Sequence, residues 1–226
     1  MYPNSILMIE GLEDKMKSLV LSESEKAAID EWTDSLNNFD VPFHNYRGTH
    51  VKEVVRIAKH LAKATTADYE VVVMAAWLHD VAKPGTSGRG GNHGANSARI
   101  ARDFLINEGV DEDAIARVCD AIQKHVGLTL DEPVEPLEAQ IIWDADKLTK
   151  LGLTWIIHQI INGLRYEPNQ DFDEILDLLK KGLPLSRKIA ASMNTEPGKD
   201  IANYRIRNIE LFIDMLEDEL SLKRFI

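Results

Sequence analysis

Val71-Val72-Val73-Met74-Ala75-Ala76-Trp77-Leu78-His79-Asp80-Val81-Ala82-Lys83 is the stretch on which the reading of this chain turns. Three consecutive valines favour a strand by propensity alone. Length argues for a helix: about 15 residues separate Asp68, a good N-cap, from the stop at Pro84-Gly85, more than a buried strand spans. On such a helix Val72, Ala75, Ala76, His79 and Lys83 share one face. An imidazole and a carboxylate at the end of so apolar a run need partners, because an unpaired buried charge costs several kcal/mol or more. A divalent metal suits an adjacent His and Asp best.

Outward from this stretch the pattern stays helical. A weak helix signal in the first twenty residues precedes a second over 22–39, where Ser22-Glu23-Ser24-Glu25 fits a capping box. A loop over 41–48 leads to a helix over 49–64 capped by Thr49, with His50 in its first turn. Residues 84–92 hold four glycines and Arg89, which suggests a mobile loop able to close on substrate. Helices follow over 95–107, with His93 just before, and from Asp111 to a stop at Gly127, with His125 on the apolar face. A long apolar segment over 137–163 carries Asp144, Asp146 and Lys147 and bends near Gly152. Three more helices are predicted over 171–181, 184–193 and 197–222. No strand and no internal repeat emerge, so the chain reads as all-α.

Bulk properties narrow the function. The 226 residues are 44% hydrophobic and 28% charged, ordinary for a globular protein. A net charge of -11 argues against stable nucleic-acid binding, yet leaves room for a small anion at a locally positive metal site. Cys119, the single cysteine, excludes an internal disulfide and a cysteine-based zinc site. No apolar run nears the roughly 20 residues of a membrane helix. With Glu10, Glu13 and Asp14 near its start, the N-terminus does not read as a signal peptide. A cytoplasmic location is the expectation, and nothing bears on oligomeric state.

Four histidines, His50, His79, His93 and His125, fall at the ends of different predicted helices, each on or beside an apolar face. A lone histidine there is usually a hydrogen-bonded core residue. Four, joined by Asp80 and Asp146 in equally apolar settings, point instead to a metal centre with imidazole and carboxylate ligands. Lys83, Arg47 and Lys147, and with less support Arg89, are the cations available for a phosphate. For Lys83 the alternative is a solvated lysine opposing the helix dipole.

The order His50, His79-Asp80, Asp146 resembles the HD superfamily of metal-dependent phosphohydrolases, named for that dipeptide. The contexts match as well: Arg47-Gly48-Thr49-His50, Ala76-Trp77-Leu78-His79-Asp80 and Ala145-Asp146-Lys147-Leu148. His93-Gly94-Ala95-Asn96-Ser97 and Lys124-His125 are similar to the subgroup with two further histidines. The resemblance covers about residues 47–162 and implies a compact helical bundle with its catalytic core there; the chain is expected to form one domain over 1–226, with N-terminal helices over 1–40 and C-terminal helices over 171–222 packed on that core. It further implies that His50, His79, Asp80 and Asp146 bind one divalent ion (Mn, Fe, Co, Ni, Zn or Mg). His93 and His125 either bind a second ion bridged by Asp80 or only contact substrate phosphate. The family's Ala-Asp pattern selects Asp146 over Asp144, leaving Asp144 as a supporting or surface group. The implied activity is hydrolysis of a nucleotide or other small phosphoester or phosphoanhydride through a metal-activated water, with Asp80 and Lys83 in catalytic positions. Lys83-Pro84 replaces the acidic residue that some alarmone and deoxynucleotide hydrolases carry after the His-Asp pair. The rival readings are a silent metal and nucleotide sensor and a di-iron oxygenase of related architecture.

Overall fold

The computed structural model describes residues 5–33, 45–83, 93–167 and 169–222, and among these every regular element is a helix. In chain order they are α1 (Ser5–Thr33), α2 (Tyr46–Lys63), α3 (Tyr69–Leu78), α4 (His93–Asn107), α5 (Glu112–Lys124), α6 (Leu137–Leu148), α7 (Leu153–Tyr166), α8 (Phe172–Ala191) and α9 (Glu196–Ser221). The fold is all-α. The expected loop over 84–92, with Arg89, lies outside the described residues.

The valine-rich stretch is the hub. Asp68 caps α3 by accepting from the Glu70 and Val71 N–H groups, and every residue from Val71 to Leu78 is buried. A helix apolar all round must be covered on all sides, and α1, α2, α4, α5 and α6 all touch α3. The main core therefore runs from Val54 and Leu61 of α2 through α3 to Val118 and Ile122 of α5 and Ile141 and Ile142 of α6. A smaller cluster, including Ile156, Leu176, Ile209 and Ile213, joins α7, α8 and α9.

Several boundaries differ from the sequence expectation, each for a local reason. Residues 5–33 form one helix rather than two. The stripe Met16, Val20, Ser24, Ala28 is buried without a break, and Ser24 donates back to the Leu21 carbonyl at 2.9 Å instead of capping a new start. α2 begins one turn before Thr49 because Asn45 accepts from the Gly48 N–H at 2.9 Å, which places Tyr46 and Arg47 in its first turn. α3 stops at Leu78, so His79, Asp80 and Lys83 lie in the turns beyond it and not on a shared helix face. α4 starts at His93, two residues early. The bend near Gly152 is a full break, with that glycine at φ 82°. α8 runs through Pro184, its start secured by the Asp171–Glu174 capping box. Pro197 falls inside the first turn of α9, where its missing N–H costs nothing.

One buried carboxylate ties the two clusters together. Asp144 of α6 is fully buried and accepts from the Asn194 and Thr195 N–H groups, both at 2.8 Å, and from the Asn194 amide and Thr195 hydroxyl at 3.0 and 2.7 Å. Thr195 in turn caps α9 at the Gly198 N–H, 3.0 Å away. A Cβ at Gly198 would collide with the Asp144 carboxylate. Asp144 is thus the anchor of α9 and not a surface group. Replacing it with Ala strands four donors, and we expect Asp144→Ala to lower unfolding stability by about 3 kcal/mol or more. Urea denaturation checks this; a loss under about 1 kcal/mol would contradict it.

Candidate metal centre

The six expected ligands come from five helices, and four of them lie at helix ends. A helix C-terminus leaves its last carbonyls without intrahelical partners. His79, the C-cap of α3, brings Nδ1 to 2.8 Å from the Ala76 carbonyl, and His125, the C-cap of α5, brings Nδ1 to 2.5 Å from the Ile122 carbonyl. A carbonyl only accepts, so Nδ1 carries a proton in both rings and Nε2 is the nitrogen left for a ligand bond. His50 is set the same way through Thr149. That hydroxyl donates to the Asp146 carbonyl at 2.6 Å and so accepts from His50 Nδ1 at 3.1 Å. Three Nε2 atoms are thereby aimed inward by hydrogen bonds on the far side of each ring.

They converge with the carboxylates. His50 Nε2 lies 3.3 Å from His79 Nε2, 3.2 Å from Asp146 Oδ1 and 3.6 Å from Asp80 Oδ2, and His79 Nε2 is 3.7 Å from the same Asp80 oxygen. The other Asp80 oxygen, Oδ1, lies 3.3 Å from His125 Nε2 and 3.7 Å from His93 Nε2. Two acceptor lone pairs at 3.3 Å cannot hydrogen-bond each other, and a cation between them removes the repulsion. Ligands about 2.1 Å from one ion in tetrahedral array stand about 3.4 Å apart, close to these separations, and two sets of three, His50 with His79 and Asp146 and His79 with Asp80 and His125, are near enough together to hold an ion. The residues present therefore fit a divalent ion. Asp80 faces one donor group with each oxygen.

The electrostatics agree. Burial drives the His79 imidazole down to about 3 against the pull of Asp80, so it stays neutral as a ligand must. Burial pushes the Asp80 carboxyl up, but His79, His125, His50 and Lys83 together hold it well below the carboxylate range. Asp146 is likewise raised by burial and brought well below that range by Lys147, Lys150 and His50.

The cations divide into two kinds. Lys83 Nζ lies 2.6 Å from Asp80 Oδ2 and is 36% exposed, at the edge of a cleft of about 610 Å³. Arg47, His50, Asp80, Asn96 and Arg99 also line that cleft, and α1 forms its far wall. Lys147 is 1% exposed and turned inward, donating to the His125 carbonyl at 2.7 Å and to the Asp146 carboxylate, over the Trp143 ring. It is not among the residues lining the cleft. Sequence reasoning missed Thr149 and Lys150. Lys150, one helical turn beyond Asp146, brings Nζ to 3.5 Å from Asp146 Oδ1, and its i,i+4 spacing was the available signal.

Residues 47–151 match the family model of the HD domain. Those residues form an HD domain. The solved structures similar to this HD-domain chain include YpgQ of Bacillus subtilis, at TM-score 0.65 and 19% identity, covering 93% of this chain and 96% of that one. Its complex with ADP superposes at TM-score 0.63 and 19% identity, over 92% of this chain and 97% of that one. A predicted HD superfamily hydrolase from an uncultured Thermotogales bacterium gives TM-score 0.63 at 20% identity, over 92% of both chains. In sequence, the tRNA (cytidine(56)-2'-O)-methyltransferase of Thermoplasma volcanium is 30% identical over 152 residues, 62% of this chain. The match spans 42% of that protein.

Two expectations follow. Elemental analysis of this HD-domain chain after reconstitution should find at least one divalent metal ion per chain, and Asp80→Ala should lose it; full metal in that variant would refute the ligand assignment. The metal-free protein should also lose stability on acidification. His79 takes up a proton near pH 6.5 when unfolded but only near pH 3 when folded. Its contribution is therefore complete above about pH 6.5 and shrinks as pH falls toward 3, by about 1.4 kcal/mol per unit. The depressed Asp80 and Asp146 act in the same direction below about pH 4. Denaturation in EDTA between pH 7 and 5 should show the loss, with a shallower slope for His79→Asn.

Proposed function

We propose that this chain is a metal-dependent phosphohydrolase acting on a nucleotide or a similarly small phosphoester or phosphoanhydride. The observation that carries the reading is the set of inward-facing imidazole nitrogens and ionised carboxylates on a cleft edged by Lys83. The ADP complex of YpgQ supports a nucleotide as the class of ligand.

In this reading His50, His79, Asp80 and Asp146 hold one ion, and His93 and His125 with Asp80 offer the place for a second. The ion supplies Lewis acidity to a phosphoryl oxygen and lowers the pKa of water beside it. The protein does the rest. Asp80 keeps the donor set together and holds Lys83 beside it at 2.6 Å. An ammonium has three N–H donors, so Lys83 has two left for phosphate oxygens when Asp80 takes one. Arg47, in the first turn of α2, adds a second cation on the same cleft. Lys147 serves indirectly by fixing Asp146 against the α5 terminus. The methyl transfer named for the Thermoplasma protein is not carried over, because more than half of that protein lies outside the match.

The test is phosphate or pyrophosphate release from a panel of nucleoside mono-, di- and triphosphates with Mn, Co or Mg. Turnover of at least one compound is expected, abolished in Asp80→Ala and cut about 100- to 1,000-fold in Lys83→Ala, the range for one preorganised donor at developing charge. Metal-loaded protein that binds a nucleotide tightly and hydrolyses none of the panel would overturn the enzyme reading in favour of a sensor.

A further inference from the structure

α2 opens on a tyrosine that lines the cleft beside Arg47, His50, Asp80 and Lys83. The Asn45 cap starts the helix at Tyr46, one turn before His50 and on the same face. The two rings stack, with centroids 5.6 Å apart and planes 29° from parallel. His158 of α7 stacks on Tyr46 more closely, at 3.6 Å and 18°, and Trp155 lies against His158 at 5.2 Å. The phenol ring is thereby held in one orientation next to a metal ligand. Tyr46 and His158 both fall outside residues 47–151, the part that matches the HD domain, so this stack is an addition to that domain and not one of its matched positions.

Among the described residues the Tyr46 hydroxyl has no hydrogen-bond partner. The carboxylates of the centre are already met by other groups: Asp80 by Lys83 and the surrounding imidazoles, Asp146 by Lys147, Lys150 and His50. Burial pushes the phenol up against the pull of Lys150, so the O–H keeps its proton. Asp146 and Asp80 add to the rise, which sets the phenol in the field of the metal centre. A donor fixed in that field, with the protein's own acceptors engaged, is matched to an oxygen brought in by a ligand. We infer that Tyr46 is a substrate-binding residue whose hydroxyl donates to a phosphoryl oxygen, approaching from the start of α2 while Lys83 approaches from the turn beyond α3. His158 is the positioning residue that holds the ring. The inference rests on the phosphohydrolase reading for the identity of the ligand, and the hydroxyl adds a neutral donor to the cations already assigned to it.

Tyr46→Phe keeps the stack and removes only the hydroxyl. The variant should retain the metal content and melting temperature of the wild type. Calorimetric titration of the full, Mn-loaded chain with inorganic phosphate, which cannot turn over, should show binding weaker by about 10-fold or more, the loss of one hydrogen bond to a charged group. On any nucleotide that the wild type hydrolyses, kcat should fall about 100-fold. His158→Ala should weaken phosphate binding about 3-fold in the wild type and add nothing in the Tyr46→Phe background, because it acts through the hydroxyl. Tyr46→Phe equal to wild type in phosphate affinity, His158→Ala equally harmful with and without the hydroxyl, or a wild type that binds no phosphate would overturn the assignment. A wild type that binds phosphate, shows the loss in Tyr46→Phe and hydrolyses no nucleotide supports the contact and sinks the hydrolase reading alone.

Discussion

Two imidazole Nε2 atoms, of His50 and His79, face one another at 3.3 Å in a buried pocket, and much of the surrounding structure follows from holding them there. The arrangement is unfavourable by itself. It persists because each ring is clamped on its other nitrogen: His79 by the Ala76 carbonyl, His50 by the Thr149 hydroxyl. The clamp on His79 exists only because α3 ends at Leu78; one further turn would draw the Ala76 carbonyl into the helix ladder and release the ring. The helix end and the tautomer are thus the same fact. His125 repeats the device at the end of α5. A cation at the focus would turn the repulsion into coordination in a region otherwise filled by valine, alanine and isoleucine.

α6 carries the remainder of that load. Apart from Gln140, every residue from Glu138 to Leu148 is buried, so each of its polar groups must find a partner inside the protein. Glu138 accepts from the Asp68 N–H and from Arg117, bracing the start of α3. Asp144 accepts from Asn194 and Thr195 and anchors α9. Asp146 meets His50, Lys147 and Lys150. Two residues apart on a helix means about 200° of rotation, so Asp144 and Asp146 point to opposite sides and take opposite duties. One helix thereby holds the ligand field on one side and the C-terminal helix on the other.

What could be read in the sequence divides along the same lines. Helical class, the hub role of residues 71–78 and the placing of His79, His93 and His125 at helix ends were legible, because apolar periodicity, caps and glycine stops are local signals. Boundaries failed where a tertiary contact outweighed a local one. Ser22-Glu25 carries a capping-box pattern, yet the stripe from Met16 to Ala28 has a core to lie against and the helix runs on. Pro184 reads as a helix break, yet α8 continues on both sides of it. Lys147 and Lys83 are each a lysine just past a candidate aspartate, and the sequence offers both the same two readings while favouring Lys83 for the phosphate. The fold gives the reason, since Lys147 points across α6 to the end of α5 while Lys83 stands at the open edge of the cleft.

That separation bears on how a chain of net charge -11 can receive an anion. The carboxylates Asp80 and Asp146 are met by three ammonium groups, Lys83, Lys147 and Lys150. The side chains at the centre therefore sum to a slight excess of positive charge before any ion is bound. A divalent ion at the inward-facing nitrogens adds to that excess instead of merely cancelling the carboxylates. The acidic residues responsible for the overall charge lie mostly at the surface, where at physiological salt their field decays over about 8 Å. Inside the cleft the field is set by the nearest few groups, so the local sign governs binding and the net charge governs little more than the approach.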